Sequence, residues 1–195
     1  MPNYVELTPE ELHAATSREV MAEAAAEDRI PGGKYLLKTN SYVSKRVNDD
    51  DQYNPGRQLA TLRVSYLNRN DPTKVVGNAF VDVSWEPRYR RDGKLDAMAK
   101  RFTDLAKALG VRSESNPLAV LSAATQQLVE VTLRETFRVA AEDVHAVHAG
   151  VKSDLNGEAW VNVPSAEKGG EEIYEHYFDL GYESKVQIDK ITKVK

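Results

Sequence analysis

Basic and aromatic side chains crowd one short segment, residues 86–94, and are the groups in this sequence best suited to chemistry. Arg88, Tyr89, Arg90 and Arg91 follow one another there. A guanidinium group binds phosphate through two parallel hydrogen bonds and also stacks on flat rings, and a tyrosine ring is itself a stacking surface. The cluster therefore favours contact with a nucleic acid over its other interpretation, a solvated turn before a helix.

Charge is distributed unevenly along the 195-residue chain, whose formal net charge is −4. Residues 31–112 hold 16 Lys and Arg against 9 Asp and Glu, whereas residues 1–30 hold 2 against 7 and residues 113–195 hold 8 against 14. Attraction to phosphate is screened beyond about 10 Å at ordinary salt, so a local basic surface is sufficient for binding. The acidic total therefore does not exclude a nucleic-acid partner.

A second group of cations falls on predicted strands, where successive side chains alternate between two faces. The polar face of the first strand carries Lys38 and Tyr42, and the polar faces of two later strands carry Arg63, Arg134 and Arg138. If these faces are adjacent, backbone phosphates can follow the cations while aromatic rings stack on bases. The predicted nucleic-acid-binding residues are Lys38, Tyr42, Tyr53, Arg63, Trp85, Arg88, Tyr89, Arg90, Arg91, Arg134 and Arg138.

Hydrophobic periodicity defines the elements that must position these residues. Apolar positions of period two predict five strands, at residues 34–44, 60–66, 75–85, 129–139 and 158–163. Capping residues and apolar spacings of three and four predict three helices, over residues 9–28, 95–109 and 117–127. Trp85 ends the third strand: its alternation with Val81 and Val83 indicates the core, and its terminal place indicates the rim.

The predicted elements follow in the order strand, long loop, hairpin, helix, strand, strand. This is the order of a five-stranded Greek-key barrel of the OB type, in which a helix lies between strands three and four. We therefore predict a mainly β fold with helical additions. An N-terminal helix would occupy residues 1–30, the barrel residues 31–165, and a C-terminal extension residues 166–195. The extension is predicted to contain a helical turn near residues 173–182 and then a terminal strand or assembly segment.

Four segments carry a resemblance to a known family: Ile30-Pro31-Gly32-Gly33-Lys34-Tyr35, Leu105-Ala106-Lys107-Ala108-Leu109-Gly110, the strand Val129–Val139, and Leu155-Asn156-Gly157-Glu158-Ala159-Trp160-Val161-Asn162-Val163. Their layout resembles that of phage-encoded single-stranded DNA-binding proteins with an OB fold, over about residues 30–165. The resemblance implies a viral DNA-binding protein that coats and protects single strands during DNA replication and recombination, without catalysis.

Features that would indicate an enzyme are sparse. The chain has no cysteine, and no serine stands with a plausible base and orienting residue. Glu183 and Lys185 have the Glu-x-Lys spacing of metal-dependent nucleases, but the second carboxylate would have to be Asp154 or Asp179, and a surface ion pair is the preferred interpretation. We therefore predict no catalytic residue, no metal and no cofactor.

The predicted partner is single-stranded DNA, with RNA left open as a ligand. A second possibility is a phage structural or assembly protein, which would act through protein–protein contacts of the N-terminal helix or the C-terminal extension. The same two segments could form a homo-oligomer. No apolar run approaches the roughly 20 residues that span a bilayer, and the N-terminus lacks the pattern of a signal peptide. The sequence thus predicts no membrane association and a cytoplasmic location, in a host cell if the protein is phage-encoded.

Overall fold

Seven strands form one antiparallel sheet in the computed structural model, which describes residues 29–112, 116–145, 152–153 and 157–194. The strands are β1 (Gly33–Arg46), β2 (Gln58–Asn68), β3 (Val75–Val83), β4 (Val129–Ala140), β5 (Lys152–Ser153), β6 (Glu158–Val163) and β7 (Ser184–Lys193). The helices are α1 (Ala97–Leu109), α2 (Pro117–Gln126) and α3 (Gly170–Asp179). The five predicted strands and the two later helices are confirmed. The helix predicted over residues 9–28 lies outside the described residues.

The strand order is β3-β2-β1-β4-β6-β5, and β7 pairs with β4. One edge of β4 is shared, because its residues 129–133 pair with β1 and its residues 135–140 pair with β6. β7 lies along the opposite edge, from Val129 to Phe137. β4 is consequently the strand on which the two halves of the sheet meet.

One face of the sheet is the core, and its side chains follow the alternation of the sequence. Leu62, Val64 and Val83 are buried on neighbouring strands, and Phe102 and Leu105 of α1 are buried with them. The ends of α1 are well defined, because the Asp96 side chain accepts a hydrogen bond from the backbone N–H of Ala99 and Gly110 adopts a left-handed conformation after the last turn. The helix therefore packs at a fixed position and in a fixed register.

The described part of the sheet is open, since its order begins at β3 and no pairing joins β3 to β7. α1 contacts both of these strands. The guanidinium of Arg101 donates to the backbone carbonyl of Asp82 on β3 at 2.9 Å, and Lys100 Nζ donates to the backbone carbonyl of Asp189 on β7 at 2.9 Å. The mainly β class is confirmed, but the described strands form an open sheet with a helix at the gap instead of a closed five-stranded barrel.

The residues predicted as an extension after residue 165 form α3 and β7, so the terminal strand is confirmed. Tyr174 and Tyr177 of α3 pack on Phe137 of β4, with ring centroids 5.5 and 5.6 Å apart. Val161 and Val163 of β6 belong to the same apolar cluster. These residues complete the core beside β4 and β6.

At the start of α3, the backbone of Gly170 lies directly against the backbone of Pro164 and Ser165. This close contact leads to a prediction about stability. A Cβ on Gly170 would lie 1.9 Å from the carbonyl oxygen of Pro164. We expect Gly170→Ala to lower the free energy of unfolding by about 3 kcal/mol, the upper end of the cost of overpacking. Gly169→Ala is the matched control, because a Cβ there meets no atom within 4 Å and costs only about 1 kcal/mol for its left-handed backbone. Urea unfolding measures both, and equal losses would refute the steric explanation.

Candidate nucleic-acid interface

A β-bulge decides which side chains of β1 face the solvent. The pairing of β1 with β2 shifts register at Asn40, so the alternation of faces changes phase there. Before the bulge, Lys38 is exposed and pairs with Ser65; after it, Tyr42 pairs with Leu62, which is buried in the core. The prediction that Lys38 and Tyr42 share one polar face is therefore wrong. We call the face that carries Lys38 the outer face.

Three neighbouring strands place a cation and an aromatic ring side by side on this outer face. Arg63 of β2 pairs with Ser41 of β1 and with Phe80 of β3, so the three side chains form one row. Phe80 is 76% exposed, and Val43 in the adjacent row is 66% exposed. Exposed apolar side chains on a strand face are available to pack against a ligand. We call the outer-face residues Lys38, Ser41, Val43, Arg63 and Phe80 the platform.

The sequence interpretation missed Phe80, although the signal was present. The alternation of Ala79, Val81 and Val83 on the core face places residue 80 on the opposite face by elimination. Arg63 was predicted correctly to lie on a polar face, and it is exposed. An aromatic residue at a solvent-facing strand position next to an arginine is the pattern that would have identified this row.

Polar neighbours of the platform are tied to one another. Asn40 Nδ2 donates to Ser65 Oγ at 2.8 Å, and Ser65 Oγ donates to the Asn78 carbonyl oxygen at 2.7 Å. In contrast, Arg63 forms no ion pair or side-chain hydrogen bond with any residue that the structure describes. The Arg63 guanidinium thus retains its donors for a ligand, beside the exposed ring of Phe80.

Arg57 fixes the two loops at one end of the platform. Its side chain is buried, and Nε donates to Ser84 Oγ at 2.9 Å. The two terminal nitrogens donate to the Asp96 carboxylate at 2.5 and 3.0 Å, to Asn54 Oδ1 at 3.2 Å and to the Glu86 carbonyl at 3.2 Å. One guanidinium therefore joins the β1–β2 loop, the end of β3 and the start of α1.

The Asp96 carboxyl has a lowered pKa as a consequence of this arrangement. Burial alone would raise its pKa, but hydrogen bonds from Arg57 and from the Ala99 N–H outweigh that effect and hold it below 3.8. Asp96 is therefore ionised over the ordinary pH range, and it both pairs with Arg57 and caps α1.

The β1–β2 loop and the β3–α1 connection present the predicted aromatic residues at the same end of the sheet. A second arginine joins them, because Arg88 donates to the backbone carbonyl of Pro55 at 2.9 Å. Tyr53 on one loop is 79% exposed and Tyr89 on the other is 68% exposed. Both rings therefore have the exposure that stacking requires, next to a cation that is held by the protein backbone.

Several predicted residues of the β3–α1 connection have protein partners or a different environment. Arg90 pairs with Asp92 at 2.8 Å, whereas the neighbouring Arg91 is exposed. Trp85 is half-buried, with its ring centroid 6.1 Å from that of Phe102. Trp85, for which the sequence indicated both the core and the rim, therefore packs against α1 while it remains partly exposed.

Arg134 and Arg138 lie apart from the platform. Ser41 pairs with Arg63, whereas Gly33 pairs with Leu133, the neighbour of Arg134. Eight residues of β1 separate these positions, which corresponds to roughly 26 Å along the strand. The predicted set is thus divided into three groups. Lys38 and Arg63 lie on the platform, and the two loops at its end carry Tyr53, Arg88, Tyr89, Arg90 and Arg91. Tyr42 and Trp85 lie near the same end of the sheet but face the core side or pack on α1, and Arg134 and Arg138 lie apart.

Within the described residues, no group of three or more His, Cys, Asp and Glu is arranged to hold a metal ion; Asp154, named above for a nuclease site, lies outside them. None of the described helices is long and apolar enough to cross a membrane. No protein-family model, curated protein or solved structure matches this chain.

The Arg57 contacts generate a prediction about stability. Arg57→Met keeps most of the side-chain volume but removes the guanidinium that donates to Asp96, Ser84 and Asn54. We expect a loss of about 3 kcal/mol in the free energy of unfolding, the lower end of the cost of breaking a buried ion pair, because the Asp96 side chain is 24% exposed. In the control Arg46→Met, which removes an exposed pair with Asp49, we expect a loss under about 1 kcal/mol. Similar losses in urea unfolding would contradict a special role for Arg57.

The lowered pKa of Asp96 generates a second prediction, on pH dependence. A carboxyl whose pKa is lower in the folded state stabilises the fold above the unfolded value of 3.8, and this stabilisation is lost as pH falls through the folded pKa. The stability difference between the wild type and Asp96→Asn should therefore be largest near pH 7 and shrink below pH 3.8. Urea midpoints measured between pH 7 and 3 test this, and a difference independent of pH would refute it.

Proposed function

We propose that this protein binds single-stranded DNA without catalysis. The observation that carries the proposal is the row of Arg63 and Phe80 on the outer face. A solvent-facing ring stacks on a base whatever its sequence, and an unpaired guanidinium beside it binds the adjoining phosphate. Duplex DNA keeps its bases inside the stack, so an exposed strand-borne ring favours a single strand as the ligand.

The two loops support the same ligand class. Tyr53 and Tyr89 are exposed at the end of the platform, and Arg88 and Arg91 lie near them along the chain. A strand that leaves Phe80 could stack on these rings while its phosphates contact the arginines. Because Arg57 holds both loops, little conformational entropy would be lost when they bind.

We further infer that the fold is an open relative of the OB barrel. β1, β2 and β3 follow one another as in that barrel, β4 pairs with β1, and β7 pairs with β4. α1 would then stand where the barrel strands close. The likeness in layout to phage single-stranded DNA-binding proteins supports a role in viral DNA replication and recombination, in the cytoplasm of a host.

Fluorescence anisotropy of a labelled 25-nucleotide oligothymidine tests the proposal. We expect Phe80→Ala to weaken binding by about 10-fold, within the roughly 1–3 kcal/mol of one base stack. Arg63→Gln should reduce the magnitude of the slope of log K against log salt by about 0.7, the value of one phosphate contact on a single strand. Leu118→Ala is the control, because this leucine is exposed on α2 and belongs neither to the platform nor to the two loops at its end.

The outcomes are distinct. Wild-type affinity that is strong at low salt, falls with added salt and exceeds that for a duplex competitor supports the proposal. Absence of binding at low salt refutes it, and so does an effect of Phe80→Ala no larger than that of Leu118→Ala.

A second candidate, assembly through protein contacts, is favoured by the outer edge of β3, which pairs with no other strand among the described residues. Residues 75–81 of this end strand contain no charged residue and no proline, the features that usually protect an edge from pairing with another chain. Assembly through this edge would give a concentration-dependent mass in sedimentation, and Asn78→Pro would abolish it. Salt would change such assembly little, whereas it would weaken phosphate binding steeply.

A further inference from the structure

The outer face carries a second set of cations, on β4, β7 and the start of β1. Thr132 of β4 pairs with Lys34 of β1 on one side and with Lys190 of β7 on the other. Further along β4, Arg134 and Arg138 lie on the same face, four residues apart. Lys185 of β7 pairs with Thr136, which lies midway between these two arginines. We call Lys34, Lys190, Arg134, Lys185 and Arg138 the basic ladder.

A bulge maintains the ladder on β7. The pairing of β7 with β4 shifts register between Thr132 and Leu133, so Asp189 is the extra residue. Because the shift changes the phase of β7, Lys190 and Lys185 both fall on the outer face although they are five residues apart. Without the bulge, one of the two lysines would face the core.

The ladder retains net positive charge after its ion pairs are considered. Arg138 pairs with Glu158, and Arg134 lies 3.8 Å from Asp189. Within the described residues, Lys34, Lys185 and Lys190 have no ion pair, and all three are exposed.

The spacing of the ladder matches a nucleic-acid backbone. Its rows, at β4 positions 132, 134, 136 and 138, are two residues apart, or roughly 6.6 Å along the strand. Successive phosphates of a stacked duplex strand rise by about 3.4 Å, and an unstacked strand is more extended, so its phosphate spacing is of the order of the row spacing. The row at position 132 offers two cations and each of the other three rows offers one, so every successive phosphate of an extended strand meets at least one cation.

Aromatic content distinguishes the ladder from the platform. The ring beside Arg138 is that of Trp160 on β6, which pairs with Arg138 and has the Arg138 guanidinium 5.7 Å from its centroid. Because one face of this half-buried ring is occupied by a protein cation, the ladder offers contacts for phosphates and few for bases.

We propose that the basic ladder is a second binding track, which holds the phosphate backbone of the same single strand after it leaves the platform. This inference rests on the proposed function. Lys38 of the platform and Lys34 of the first ladder row are four residues apart on β1, or roughly 13 Å along the strand. A few nucleotides of extended strand would span this distance, so one DNA molecule would engage both surfaces. The track adds affinity and length to the bound segment, and it does so independently of base sequence.

The test neutralises three ladder cations together, as Arg134→Gln/Lys185→Gln/Lys190→Gln, and measures binding of the 25-nucleotide oligothymidine at several salt concentrations. With a factor of about 5 per lost contact at 0.1 M salt, we expect an affinity loss of roughly 100-fold and a salt slope smaller in magnitude by about 2. A charge-retaining variant, Arg134→Lys/Lys185→Arg/Lys190→Arg, should bind like the wild type.

A matched control removes the same charge elsewhere, as Lys74→Gln/Arg112→Gln/Lys168→Gln, at three exposed cations outside both surfaces. We expect less than a threefold loss. Equal losses in ladder and control variants would overturn the track, because they would indicate only long-range charge. An unchanged salt slope in the ladder variant would overturn it too, while a loss in Phe80→Ala would still support the platform. If the wild type binds no single strand, both proposals fail.

Discussion

The buried guanidinium of Arg57 is the interaction on which the arrangement of the candidate site depends. An unpaired charge in this position would cost several kcal/mol, so the surrounding chain must supply acceptors from three separate segments. Asn54, Ser84 and Asp96 do so, together with a backbone carbonyl. The same contact that satisfies the charge therefore fixes the β1–β2 loop, the end of β3 and the first turn of α1 relative to one another. Exposed rings on those loops acquire fixed positions without being packed themselves.

Two β-bulges then determine the chemistry of the outer face. Side chains alternate with a period of two, so a single extra residue exchanges the faces of everything beyond it. At Asn40 the exchange turns Tyr42 inward and Val43 outward; at Asp189 it brings Lys190 to the face that carries Lys185. The first change adds an exposed apolar side chain to the outer face, and the second adds a cation. The bulges are therefore better described as part of the site than as irregularities of the sheet.

The sequence could predict those features that depend on residues close together in the chain, and it could not predict those that depend on distant contacts. The limits of α1 and α2 depend on Asp96, Gly110 and Asn116, which act within one turn, and the strands depend on short-range alternation. The bulge at Asn40 left no local pattern, because Asn is equally compatible with a regular polar position. Arg57 resembled any loop arginine, since its acceptors lie up to 39 residues away. The open sheet, too, depends on long-range contacts of α1 that periodicity does not encode.

The platform and the basic ladder differ in the forces they offer, and this difference bears on how one strand would occupy both. Stacking on Phe80 and the two tyrosines depends little on salt, whereas contacts with Lys34, Lys185 and Lys190 weaken as counterions compete. In the proposed complex, rising salt would therefore release the strand from the ladder first and leave it on the platform. The order follows from the rings, because Phe80 on the platform and Tyr53 and Tyr89 on the loops at its end are exposed, whereas the ring of Trp160 beside the ladder is already engaged by Arg138. In that complex the platform would hold the strand at one end, and the ladder would adjust the bound length at the other.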